Sequence, residues 1–139
     1  MRSETARSTL VASMALVGAV INGAYGAHLL ARFADASIDA VVREVLVSGI
    51  TLELSWAALL LWAVRHPLRG RFLLPITGGA LLLGNALHSY ALVRFYGAGL
   101  GDATMNLTVG VGIASLFGLA YHFGGPSPVA LVGGDSASR

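Results

Sequence analysis

The 139-residue sequence contains no cysteine and no lysine, and charged residues make up only 12% of it. Without cysteine, the chain forms no disulfide, thiolate metal site, iron–sulfur cluster or covalent attachment to a c-type haem. Its basic residues are nine dispersed arginines and its formal net charge is only +2, so it has no basic patch for a nucleic acid. The composition therefore excludes thiol chemistry and argues against a nucleic-acid partner.

The catalytic signatures of soluble enzymes are missing as well. The sequence has no G-x-S-x-G motif, no phosphate-binding P-loop, no H-E-x-x-H motif and no dinucleotide-binding glycine fingerprint. It predicts no catalytic residue, and it favours a protein that is not an enzyme.

Long apolar runs fill most of the chain. A helix needs roughly 20 apolar residues to cross the ~30 Å hydrocarbon core of a bilayer. Four runs reach that length, and Glu53 is the only formally charged side chain within them. The runs occupy residues 8–31, 45–64, 72–93 and 103–123. We therefore predict an all-α integral membrane protein, a bundle of four transmembrane helices over residues 1–124, followed by a polar tail over residues 125–139.

The positions of the arginines predict the orientation, because short cytoplasmic loops carry an excess of basic residues. If the chain crosses the membrane four times, six arginines lie on the side of the two termini and three on the opposite side. Short connections favour consecutive helices that alternate in direction, up-down-up-down. We expect a multi-pass protein of the cell membrane, in a bacterial inner membrane, with both termini in the cytoplasm.

Small residues at every fourth position predict the faces on which two of the helices pack. Such stripes let helix backbones approach closely where lipid provides no hydrophobic drive between helices. The stripes are Ala15, Ala19, Gly23 and Ala27 in the first run, and Gly110, Ala114 and Gly118 in the fourth.

Polar side chains inside the runs are the candidates for function, because polar groups are costly to bury in lipid. They are Asn22, His28, Glu53, Asn85 and His88. With a rise of about 1.5 Å per residue, the three ionisable groups are expected at similar depths in the outer half of the bundle. We therefore predict that His28, Glu53 and His88 lie in one layer, within reach of each other.

Such a layer is compatible with several roles. The simplest is interhelical hydrogen bonding that fixes helix register and requires no cofactor. Alternatively, His28, Glu53 and His88 form a metal site, or His28 and His88 are the axial ligands of a haem. A third possibility is a proton relay in which a buried Glu53 is coupled to a neighbouring histidine.

The hexapeptide at residues 23–28, G-A-Y-G-A-H, resembles the G-A-F/Y-G-A-H signature at the end of the first helix of the domain-of-unknown-function 423 family. The glycine-rich third run is loosely similar as well, and the resemblance covers residues 10–123. The second run departs from the family, which has a stretch with tyrosine and histidine where this chain has T-L-E-L-S-W at residues 51–56. The family consists of small four-helix membrane proteins without an assigned activity, so the resemblance implies the fold and no function.

The function that these observations favour is a non-enzymatic accessory or stabilising subunit of a larger membrane complex. Its expected partners are the lipid bilayer and other membrane protein subunits, since a polar tail without a core of its own needs a surface to lie on. Two other classes stay open. One is a haem- or metal-binding electron-transfer protein that uses His28 and His88, and the other is a small transporter or proton-conducting protein that uses Glu53.

Overall fold

The computed structural model describes residues 2–34, 39–97 and 99–125, without the side chains of Arg2, Ser3 and Tyr96. Every regular element in these ranges is helical, as the sequence predicts. The helices are α1 (Arg2–Phe33), α2 (Ala40–Arg65), α3 (Pro67–Gly70), α4 (Leu73–Tyr96) and α5 (Leu100–Phe123). Nearly all of the predicted polar tail, residues 126–139, lies outside the described residues.

Four of the helices, α1, α2, α4 and α5, are long and apolar enough to cross a membrane. They correspond to the four predicted runs, but each extends beyond its run at one end or both. The helix α1 begins at Arg2 rather than at residue 8, and Glu4 in its first turn favours this start because a carboxylate stabilises a helix N-terminus. The predicted boundaries were too short because they followed hydrophobicity alone, whereas a helix can continue through polar residues beyond the apolar segment.

The start of α2 shows the same effect. The carboxylate of Asp39 accepts a hydrogen bond from the backbone N–H of Val41 at 2.8 Å and so caps the helix. The helix therefore begins at Ala40, five residues before the predicted boundary. At the far end of α4 the chain turns at Gly97, whose φ of 65° is left-handed and suits glycine at a helix C-terminus.

The long helices form two antiparallel hairpins. The first hairpin consists of α1 and α2, the second of α4 and α5, and each pair is packed along most of its length. The short helix α3 joins the two hairpins, with Pro67 at its first position, where a missing N–H costs no helical hydrogen bond. Consecutive long helices therefore alternate in direction.

The hydrophobic core lies at the end of the molecule where α3 joins the hairpins. It combines the N-terminal halves of α1 and α4 with the C-terminal halves of α2 and α5. Its members are Val11, Ala15, Ala19, Leu60, Ala63, Leu73, Leu74, Phe117 and Ala120. Phe117, Leu60 and Leu74 are completely buried there and are the largest of the fully buried side chains. The two hairpins are therefore fastened together at this joined end.

Glycine sets the closest approaches between helices. A Cβ atom at Gly26 would lie 2.9 Å from Cδ2 of Leu54, and one at Gly110 would lie 2.7 Å from the Cβ of Asn85. Ala15 and Ala19 are buried as the predicted stripe requires, but Ala27 is exposed. A step of four residues turns about 40° beyond a full helical turn, so an every-fourth stripe drifts away from the contact face.

Candidate functional site

Beyond the joined end, an open cavity of about 870 Å³ lies between α1, α2 and α4. We call this cavity the cleft. Its lining is mostly apolar, and its volume falls within the roughly 300–1,000 Å³ that is typical of small-molecule sites. The lining residues are Ile21, Asn22, Ala24, Tyr25, His28, Leu52, Glu53, Trp56, Ile76, Thr77, Ala80, Leu81, Gly84, Asn85 and His88.

All five polar residues that the sequence singles out line this one cleft. Asn22 and His28 come from α1, Glu53 from α2, and Asn85 and His88 from α4. The predicted convergence of polar groups from three helices is therefore present in the structure. Their hydrogen bonding differs from the prediction.

A hydrogen bond between α2 and α4 forms the floor of the cleft. The indole Nε1 of Trp56 donates to the hydroxyl of Thr77 at 3.0 Å, and that hydroxyl in turn donates to the carbonyl oxygen of Leu73 at 2.7 Å. Thr77 is only 1% exposed, so this pairing satisfies a polar group that would otherwise be costly to bury. On α1, the side-chain nitrogen of the buried Asn22 donates a hydrogen bond to the carbonyl oxygen of Gly18 at 2.7 Å.

Contacts between the helices indicate the heights of the ionisable groups in the cleft. Phe117 lies 3.1 Å from the Cβ position of Gly18 on α1 and 3.0 Å from that of Gly78 on α4, and His28 and His88 each lie ten residues beyond these glycines, about 15 Å. His28 lies close to the level of Glu53, because a Cβ at Gly26, two residues before it, would be 3.4 Å from the Cβ of Glu53. The predicted single layer of His28, Glu53 and His88 is compatible with these contacts and stays a prediction.

The structure contradicts the prediction of hydrogen bonds among the three. Within the described part of the chain, Glu53 has no hydrogen-bond or ion-pair partner. The side chains of His28 and His88 are exposed and likewise form no hydrogen bond with any described residue. The physical reason is the separation of the hairpins, which leaves a cavity where close helices would have brought the groups together.

Aromatic residues line the cleft together with the unpaired Glu53. Trp56 follows Glu53 by three residues and so lies on the same face of α2. On α1, the rings of Tyr25 and His28 are stacked, with centroids 6.3 Å apart and an interplanar angle of 25°. A carboxylate and several aromatic faces are thus presented to one apolar cavity.

The predicted metal and haem sites remain predictions. No three histidine, aspartate or glutamate side chains among the described residues are placed so that they could hold a metal ion. His28, Glu53 and His88 therefore share the cleft without forming a ready-made ligand set. For a haem, His28 is available from α1 and His88 from α4.

A polar seam between α4 and α5 was missed by the sequence reasoning. The amide nitrogen of Asn106 donates to the backbone oxygen of Asn85 and to the hydroxyl of Ser89, both at 3.0 Å. Ser89 donates to the backbone oxygen of Ala103 at 3.0 Å. A signal was available, because Ser89 and Asn106 are polar residues within the third and fourth apolar runs, where polar side chains need partners.

Comparisons with known proteins leave the function to be argued from this geometry. The chain matches no protein-family model, no curated protein and no solved structure. The resemblance of residues 23–28 to the domain-of-unknown-function 423 family therefore stays a prediction.

Proposed function

We propose that the chain is a multi-pass protein of the cell membrane that binds a small amphiphilic molecule in the cleft, as a small transporter or membrane-solute-binding protein does. The observation that carries this proposal is the cleft itself, a drug-sized, mostly apolar cavity into which three helices direct polar side chains. Ionisable residues within membrane helices are rare because their burial is costly, and where they occur they commonly mark substrate or ion pathways.

The fold supports a membrane location. Four helices are long and apolar enough to span a bilayer, and large hydrophobic side chains such as Leu83, Leu87 and Leu116 are more than half exposed on them. In water such a surface would be an aggregation hazard, whereas in lipid it is solvated. We place both termini and α3 in the cytoplasm, since α3 and its flanks carry Arg65, Arg69 and Arg71.

An accessory subunit is the competing function. The argument for it from the polar tail concerns residues outside the described part of the chain. The other argument for an accessory subunit is that the cleft could receive a transmembrane helix of a neighbouring subunit. A small molecule explains the lining of the cleft better. Small-molecule sites are mostly apolar and use a few polar groups to orient the ligand, and this cleft presents a carboxylate and two imidazoles in an apolar lining.

Tryptophan fluorescence tests the proposal, because the chain has only two tryptophans and one of them lines the cleft. In a Trp62→Phe background, Trp56 is the sole tryptophan and reports on the cleft. The purified full chain in mild detergent is titrated with a panel of cationic, neutral and anionic aromatic amphiphiles. We expect a saturable change in fluorescence with at least one member of the panel.

Two glycines of α4 provide a matched control. Gly84 lines the cleft and Gly79 does not, both are exposed, and a Cβ at either would meet nothing within 4 Å. Gly84→Phe should abolish the saturable change by filling the cleft, and Gly79→Phe should preserve it. A different pair of results would favour the accessory-subunit function instead. In that case no amphiphile gives a saturable change, and another membrane protein co-purifies stably with the chain but not with the Gly84→Phe variant.

A further inference from the structure

We infer that the ligand of the cleft is a lipophilic organic monocation, held by the carboxylate of Glu53 and the ring face of Trp56. This inference rests on the proposed function and names the class of molecule that the cleft selects. Three features of the cleft support it: the charge of its lining, the position of its aromatic rings and the lack of a metal-ligand set.

The charge of the cleft is the first feature. Glu53 is the only acidic residue in the lining, and no arginine lines the cleft. No described residue forms an ion pair with Glu53, and neither His28 nor His88 forms a hydrogen bond with it. A carboxylate in an apolar cavity is costly without a counter-charge, so a cationic ligand would supply what the chain does not.

The aromatic rings are the second feature. A cation is attracted to the face of an aromatic ring, most strongly to that of tryptophan. The hydrogen bond from Trp56 to Thr77 holds the indole in place at the floor, three residues from Glu53 on the same helix face. Tyr25 supplies a second ring from α1. A ligand with a diffuse positive charge can therefore contact an indole face and a carboxylate together.

The remaining lining decides between an organic and an inorganic cation. Metal ions require several oxygen, nitrogen or sulfur ligands at short distances. The described residues provide no group of three acidic or histidine side chains placed for this. The walls of the cleft are instead aliphatic, with Ile21, Leu52 and Ile76 among them. They suit the hydrocarbon or aryl groups of a quaternary ammonium or phosphonium ion.

A comparison of matched ions tests the inference. Tetraphenylphosphonium, tetraphenylborate and the neutral tetraphenylmethane have similar shapes and differ in charge. Each is titrated against the Trp62→Phe protein in mild detergent, with the fluorescence of Trp56 as the readout and equilibrium dialysis as an independent measure. We expect the phosphonium to bind saturably. Its affinity should fall by about tenfold or more in Glu53→Gln, because this variant keeps the hydrogen-bonding capacity and loses only the charge.

Two variants control for charge and for folding. Glu44→Gln removes a carboxylate from the same helix outside the cleft and should leave the affinity unchanged. Glu53→Asp keeps the charge and should retain most of the binding, so it separates a loss of charge from a loss of folding. Trp56→Leu, measured by dialysis, should weaken phosphonium binding while the protein keeps its helical circular dichroism.

The outcomes distinguish this inference from the proposed function. Equal binding of all three probes, or phosphonium binding that is unchanged in Glu53→Gln, would overturn the cation inference while the cleft remained a ligand site. If none of the three probes nor any other amphiphile of the panel binds saturably, both the inference and the proposed function are wrong.

Discussion

The indole nitrogen of Trp56 and the hydroxyl of Thr77 lie 3.0 Å apart, and their hydrogen bond joins the two hairpins at the floor of the cleft. Trp56 belongs to α2 and Thr77 to α4, two helices that otherwise form few contacts with each other. The bond marks the boundary between the packed core and the cavity.

Replacement of Thr77 by valine should loosen this junction. The valine removes the acceptor of the indole N–H and leaves a half-buried donor without a partner. Interhelical hydrogen bonds in membrane proteins contribute about 0.6 kcal/mol on average and up to about 1.7, and we expect a loss within this range in the free energy of unfolding. Denaturation in mixed micelles measures it. Thr108→Val is the control, because the exposed Thr108 bonds only to the carbonyl oxygen of Thr104 in its own helix.

Gly110 should tolerate no larger residue. A Cβ there would be 2.7 Å from the Cβ of Asn85, which is too close, so α4 and α5 would have to separate. Overpacking of this kind costs about 1–3 kcal/mol, and Gly110→Ala should lose a corresponding amount of unfolding free energy. Gly112→Ala should be neutral or stabilising, because nothing lies within 4 Å of its Cβ position. Equal effects of the two substitutions would contradict the close α4–α5 contact.

Asn106 and Glu53 should respond differently to leucine. Asn106→Leu removes two hydrogen bonds of the α4–α5 seam and leaves Ser89 with one partner fewer, so the bundle should become less stable. Glu53→Leu should leave the free energy of unfolding unchanged or raise it, because it removes an unpaired carboxylate from an apolar cavity and no described group depends on that carboxylate. A large loss of stability in Glu53→Leu would show that Glu53 is a structural hydrogen-bond partner after all.

Hydrophobicity was sufficient to predict the four long helices of the fold. A run of apolar residues as long as a bilayer is thick has few alternatives to a helix, because every backbone polar group must find a partner within the segment. The helix ends were less predictable. They depend on single capping groups such as the carboxylate of Asp39, which caps α2 so that the helix begins at Ala40.

The members of the cleft were predictable, but their geometry was not. Asn22, His28, Glu53, Asn85 and His88 stand out in the sequence because polar residues are rare in such runs. Their relative heights depend on the register between helices, which contacts such as Trp56–Thr77 determine. The separation of the hairpins likewise arises from bulky packing at one end, around Phe117 and Leu60, and no local pattern encodes it.

The proposed orientation can be tested with two exposed leucines at opposite ends of the molecule. Leu68 lies in α3 and is 60% exposed, and Leu100 begins α5 and is 76% exposed. The chain has no cysteine of its own, so Leu68→Cys and Leu100→Cys each introduce a unique thiol. A membrane-impermeant maleimide should label Leu100→Cys in intact cells and Leu68→Cys only after lysis. The reverse pattern would place both termini outside the cytoplasm.

The most direct test of the central claim is ¹⁹F NMR of the full chain labelled with 5-fluorotryptophan. The spectrum contains two resonances, one from Trp56 in the cleft and one from Trp62, which does not line the cleft and is 43% exposed; Trp62→Phe assigns them. During titration with tetraphenylphosphonium, the account predicts that the Trp56 resonance shifts saturably while that of Trp62 stays in place. Two resonances that move together in proportion to ligand concentration, or a Trp56 resonance that never moves, would contradict a ligand site in the cleft.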